Sequence, residues 1–142
     1  MNAVLQSAPL APGESRTVAL PTGVMEIRSD AGTFSLDALI GFAARANARR
    51  GFLFVSKVLG KHWPVAPQRM RDIHVELASQ VPADLPGPVI FIAMAETAIG
   101  LGQGVFEAWL DANPGCHALF LHTSRYQVGN TPIIEFEEAH SH

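Results

Sequence analysis

Apolar residues come in short blocks along this chain, and the spacing within each block predicts an element. Residues 88–94 are almost wholly apolar and rich in Val, Ile and Phe. A run of that length without polar alternation predicts a strand buried on both faces, as in a parallel sheet. Glu96, Thr97 and three glycines, Gly100, Gly102 and Gly104, follow it. Val105, Phe106, Trp109 and Leu110 then recur at helical spacing. Residues 52–55 and 117–122 are two further apolar runs that read as buried strands. Behind Pro67, a helix-start proline, Met70, Ile73, Leu77 and Val81 fall at helical intervals. Leu36, Leu39, Ile40 and Ala43 do the same after Ser35, a candidate N-cap, which predicts a helix to about Asn47. Residues 16–20 and 24–28 are β-prone runs around Pro21, Thr22 and Gly23, and read as a hairpin. Residues 131–136 read as a final edge strand, where Pro132 is tolerated. Strands alternating with helices predict an α/β fold, a mainly parallel sheet with flanking helices behind an N-terminal hairpin. The expected organisation is a loose segment at 1–15, one domain at 16–136 and a tail at 137–142.

Composition narrows the function classes. The chain has 142 residues, of which 48% are hydrophobic, enough for one core. A net charge of −3 argues against nucleic acid as a partner. The charge is uneven: residues 1–71 hold nine Lys/Arg against four acids, and 72–142 hold one against nine. That asymmetry is either chance with an acidic tail or a cationic first half suited to an anionic small ligand. Cys116 is the only cysteine, which excludes an internal disulfide and a Cys-based zinc site. No apolar run reaches the roughly 18 residues of a membrane span, and the first ten residues lack the basic region of a signal peptide. A cytoplasmic protein without a membrane partner is the expectation. His140 and His142 have metal-like spacing, but in a tail with no packing signal.

Two constellations carry candidate chemistry. In the stretch from Glu96 to Gly104, glycines let backbone N–H groups approach a phosphate, and Glu96 stands ready for sugar hydroxyls. The alternative is a tight strand-to-helix turn with no ligand. After the strand at 52–55 come Ser56, Lys57, Val58, Leu59 and Gly60, then Lys61 and His62. A lysine and a short loop's amides suit a phosphate, and a solvated basic loop is the alternative. Two buried strands, each ending in such a loop, would lie side by side in one sheet. Neither stretch is a nucleotide P-loop or a dinucleotide fingerprint, because the glycine spacing differs. Arg125 is either an anion contact or a surface arginine.

These residues resemble a known family. The motifs FLFVSKVLGKHWPV at 52–65, AETAIGLGQGVF at 95–106 and LHTSRY at 121–126 are similar to the orotate-phosphoribosyltransferase-like family of bacterial tellurium-resistance gene clusters. The resemblance implies a type I phosphoribosyltransferase fold. It also implies phosphoribosyl pyrophosphate (PRPP) as donor, Mg²⁺ as cofactor, an unidentified base-like acceptor, and substitution at C1 of the ribose with loss of pyrophosphate. Carried over residue by residue, Ile99, Gly100, Leu101, Gln103 and the glycines at 102 and 104 match the 5′-phosphate loop. Glu96 and Thr97 match the ribose contact, with Thr97 where the superfamily has a second acid. Glu96 would also meet the metal indirectly. The 56–60 loop matches the pyrophosphate loop, with Lys57 as its cation and a non-proline cis peptide expected within it. Lys57 and Glu96 are thus the catalytic candidates. The end of the chain reads as shortened relative to the family, and a homodimer is compatible with it.

Three functions follow for test: the transferase, a non-catalytic PRPP- or nucleotide-sensing module of the same fold, and an assembly subunit whose glycine turn is structural.

Overall fold

The computed structural model describes residues 13, 15–30, 34–47, 49–126, 129 and 134. Most of the lead-in, the expected edge strand at 131–136 apart from Ile134, and the tail with His140 and His142 lie outside the described residues. In chain order the elements are β1 (Ser15–Leu20), β2 (Gly23–Arg28), α1 (Leu36–Leu39), β3 (Ile40–Ala44), β4 (Phe52–Ser56), α2 (Pro67–Ser79), β5 (Val89–Ala93), α3 (Ile99–Ala112) and β6 (Ala118–His122). They divide into two compact units, Met1–Ile73 and His74–His142, with the boundary inside α2. Among the described residues no helix is long and apolar enough to cross a membrane.

The first unit is built from two hairpins. β1 and β2 pair antiparallel from Ser15↔Arg28 to Leu20↔Gly23. Gly23 takes the turn at φ 142°, a conformation that side chains resist. β3 and β4 pair antiparallel from Ile40↔Ser56 to Ala44↔Phe52. The helix expected from Ser35 to Asn47 therefore stops after one turn. Ile40 is β-branched and Gly41 is a poor helix former, costing about 1 kcal/mol against Ala. β4 offers the next five residues a full ladder, and tertiary pairing overrides the local spacing. Asn47, expected at the end of that helix, instead shapes the hairpin loop: its Oδ1 accepts the N–H groups of Arg49 at 2.9 Å and Arg50 at 3.0 Å. Thr22 at the tip of the first hairpin donates its hydroxyl to the Gly51 carbonyl at 2.5 Å, tying the two hairpins together.

The second unit is a β–α–β arrangement. β5 and β6 pair parallel from Val89↔Ala118 to Ala93↔His122, and α3 connects and packs on both. Its core is aromatic. Trp109 on α3 is 1% exposed and packs at a 53° tilt, 5.4 Å between ring centres, against Phe91 of β5, which meets Phe106 at 5.3 Å. Phe106 in turn meets Phe120 of β6 at 5.6 Å. Burying side chains of this size stabilises by about 1.5–3 kcal/mol each.

Two expectations about the sheet need correcting. Among the described residues there are three two-stranded sheets, and only β5–β6 is parallel, so the fold is mixed α/β rather than mainly parallel. β4 and β5 belong to different sheets instead of one. The strands are also half-buried, not buried on both faces: Ile90 and Ile92 are 52% and 43% exposed while their neighbours face α3. A continuous apolar run carries no signal to distinguish these cases.

Candidate functional site

In the second unit the chemistry gathers where β5 ends. The chain leaves Ala93, turns through residues 95–98 and enters α3 at Ile99. Thr123, just beyond β6, clamps this turn. Its N–H donates to the Ala93 carbonyl at 2.9 Å, and its hydroxyl oxygen accepts the Ala95 N–H at 2.8 Å. Glu96 and Thr97 are held exposed at the crest. The non-proline cis peptide lies here, between Ala95 and Glu96, and not in the 56–60 loop where it was expected.

Residues 99–104 are helix, not an irregular glycine loop. Gly102 already returns its N–H to the Ala98 carbonyl at 2.8 Å. The amides of Ile99, Gly100 and Leu101 have no intrahelical acceptor, and the N-cap, Ala98, supplies no capping side chain. Three N–H groups at the positive end of the helix dipole make a place suited to an anion. The three glycines have different reasons to be glycine. A Cβ on Gly102 would lie 2.5 Å from the Ala93 Cβ, so its absence lets α3 approach β5. A Cβ on Gly104 would collide with the His74 ring. Nothing lies within 4 Å of a Cβ on Gly100. Only Gly100 has no protein neighbour to explain it. Gln103 spends its amide on Glu107 one turn along the exposed helix surface, at 3.0 Å.

Beside this turn opens an apolar pocket of about 320 Å³, lined among others by Leu77, Phe91, Ala93, Met94, Ala98 and Leu101. None of the charged candidates lines it. Arg125 is exposed in the segment after β6.

In the first unit the chemistry gathers where β4 ends. The Ser56 hydroxyl oxygen accepts the N–H groups of Val58 and Leu59, each at 3.2 Å. One oxygen holding two successive amides is what a phosphate oxygen would do in the same place. Val58 is buried and anchors the loop, and Gly60 leaves it at φ 66°, over Met70 of α2.

Lys57 crosses β3. Its Cε passes 3.4 Å from where a Cβ on Gly41 would stand, and its Nζ donates to the Asp37 main-chain carbonyl at 3.0 Å. The carboxylate of the same residue accepts both arms of Arg16 from β1, at 2.6 Å each. Arg16 also lies over the Phe42 ring at 5.5 Å. The Arg16 hydrogen bonds hold the Asp37 carboxyl below its ordinary range against partial desolvation, and the charges of Arg16 and Lys57 add to this. Asp37 raises the Arg16 guanidinium in return.

The sequence reading missed Thr123, Arg16 and Asp37. Thr123 stood inside a quoted motif in which only Arg125 was singled out. Asp37 sat in the first turn of an expected helix, where an acid needs no further reason.

Among the described residues no three His, Cys, Asp or Glu side chains gather into a metal cage. A single exposed carboxylate, Glu96, nevertheless fits the way Mg²⁺ is commonly bound, by one or two carboxylates, substrate phosphates and waters.

A family model described as phosphoribosyl transferase matches residues 39–142. No curated protein and no solved structure matches the chain. The matched span contains the 56–60 loop, the turn and helix start at 96–104, and Arg125, while Arg16 and Asp37 precede it.

Proposed function

Because the chain belongs to the phosphoribosyl transferase family, we propose that it binds PRPP with Mg²⁺ and transfers ribose 5-phosphate to or from a base-like acceptor. The observation that carries this is the family match, whose span includes every candidate contact. In this reading the 5′-phosphate sits on the amides of Ile99, Gly100 and Leu101. Glu96 and Thr97 hold the ribose hydroxyls. Lys57 and the amides of Val58 and Leu59 receive the pyrophosphate once Ser56 turns aside. Substitution at C1 leaves positive charge on the ribose and negative charge on the departing pyrophosphate. The residues act by orienting the donor and by placing a cation where that negative charge develops. Mg²⁺ borne by the phosphates would supply further charge to the leaving group. The three sequence motifs support the finer assignment to the type I fold and to the tellurium-resistance-associated group within the family.

Calorimetric titration with PRPP and Mg²⁺, followed by measurement of pyrophosphate release with a panel of bases, tests the proposal. Absence of PRPP binding would overturn it. Binding without release under any base would favour the second reading, a PRPP-sensing module, to which Thr97 in place of a second acid already points.

A further inference from the structure

Asp37 is the meeting point of two cations from different elements. Its carboxylate takes both arms of Arg16, and its main-chain carbonyl takes one proton of Lys57 at 3.0 Å. An aspartate's carboxylate stands only a few bonds from its own carbonyl. The Lys57 ammonium is therefore one side-chain rotation from an anion that would hold it more strongly than any neutral oxygen. What occupies that anion is Arg16, whose planar fork matches both carboxylate oxygens while a lysine offers a point charge. The guanidinium is fixed from a further side by the Phe42 ring. The three groups together carry one net positive charge, and it resides on Lys57. The carbonyl uses one of the three ammonium donors and leaves two for a ligand.

We propose that Arg16 is a positioning residue that guards Lys57: by filling the Asp37 carboxylate it keeps the Lys57 charge available to an anionic ligand at the 56–60 loop. Both Arg16 and Asp37 lie ahead of the family-matched span, so the guard is contributed by the N-terminal hairpin and α1. The inference rests on the reading of Lys57 as the pyrophosphate contact, and the test separates the two.

Inorganic pyrophosphate is titrated calorimetrically into the intact protein and four variants. Lys57→Ala should weaken binding by roughly ten- to a hundredfold. Arg16→Met should weaken it by about tenfold, because the freed carboxylate captures Lys57. Arg16→Met/Asp37→Asn should return to within about threefold of the unaltered protein, because no carboxylate remains to compete. Asp37→Asn alone, which does not depend on Arg16→Met folding well, should bind at least as tightly as the unaltered protein. Thermal melting accompanies each titration. Both Arg16 variants lose the ion pair and should melt lower, so recovery of affinity in the double variant alone distinguishes electrostatic guarding from loss of structure. If Lys57→Ala binds normally, the reading of Lys57 fails and the guard with it. If Lys57→Ala is weak but Arg16→Met binds normally, Lys57 keeps its role and the guard is overturned. The same holds if the double variant stays as weak as Arg16→Met, or if Asp37→Asn is itself weak.

Discussion

Gly100→Ala should stabilise the protein and weaken its hold on a phosphate. Gly100 is the second residue of α3, its φ is not positive, and a Cβ there meets nothing within 4 Å. Alanine can therefore adopt the native backbone without strain. Replacing an exposed helical glycine by alanine then gains about 0.5–1 kcal/mol. At roughly 4 °C per kcal/mol for a chain of this size, the melting temperature should rise by about 2–4 °C. The same methyl group points toward the helix N-terminus, where Cα–Cβ bonds lean. It would enter the space from which a phosphate reaches the amides of residues 99–101. Loss of one charge-assisted hydrogen bond is worth about 1.5–3 kcal/mol, or roughly ten- to a hundredfold in affinity. The assay is thermal melting paired with titration of ribose 5-phosphate, which carries only the monophosphate. Unchanged affinity in a stabilised variant would remove the phosphate from this helix start. A lowered melting temperature would contradict the geometry itself. Gly102→Ala is the control with the opposite sign: its Cβ would press on Ala93 at 2.5 Å, and overpacking of about 1–3 kcal/mol exceeds the propensity gain.

Three further outcomes are expected. Glu96→Gln keeps the shape and removes the charge, so PRPP binding should need more Mg²⁺; an affinity independent of Mg²⁺ with a slightly lower melting temperature would make Glu96 a helix-end acid worth about 0.3–1 kcal/mol. Thr123→Val strands the half-buried Ala95 N–H at a cost of about 1–3 kcal/mol and should weaken PRPP by loosening the turn, whereas Thr123→Ser should restore both melting and affinity. Arg16→Met should cost about 1–2 kcal/mol at neutral pH, between an exposed ion pair and a charged hydrogen bond. Because the Asp37 carboxyl is lowered from its ordinary 3.8 by Arg16, that contribution is complete above this value and lost as pH falls through the lowered one. The gap in melting temperature between the two proteins should therefore close only in acid, and a gap that stays constant from neutral to strongly acid pH would rule out the ion pair as its source.

Local signals carried much of this fold. The first hairpin, α2, β5 and β6 are where turn chemistry and apolar spacing place them. The failures share a cause. Residues 39–44 are apolar or glycine at every position, so they satisfy a helical period and a strand equally, and β4 decides between them. Gly102 and Gly104 read as a loop because glycine weakens helices, yet they sit in one because Ala93 and His74 need the space. The strand-end positions of Ser56, Lys57, Glu96 and Thr97 were legible from their order along the chain. The partners that hold those positions were not. Thr123 reaches back 28 residues to Ala95, and Arg16 pairs 21 residues away with Asp37. Separations of that kind leave no periodic trace in a single sequence.

The chain has two tryptophans, and each unit holds one. Trp63 in the first unit is 50% exposed, while Trp109 in the second is sealed against Phe91 at 1%. Indole fluorescence shifts to longer wavelength as water reaches the ring. The native emission is therefore a sum of a red component from Trp63 and a blue component from Trp109. Denaturation of residues 74–142 moves the blue component to the red. One optical trace thus reports the unfolding of the second unit without an added label.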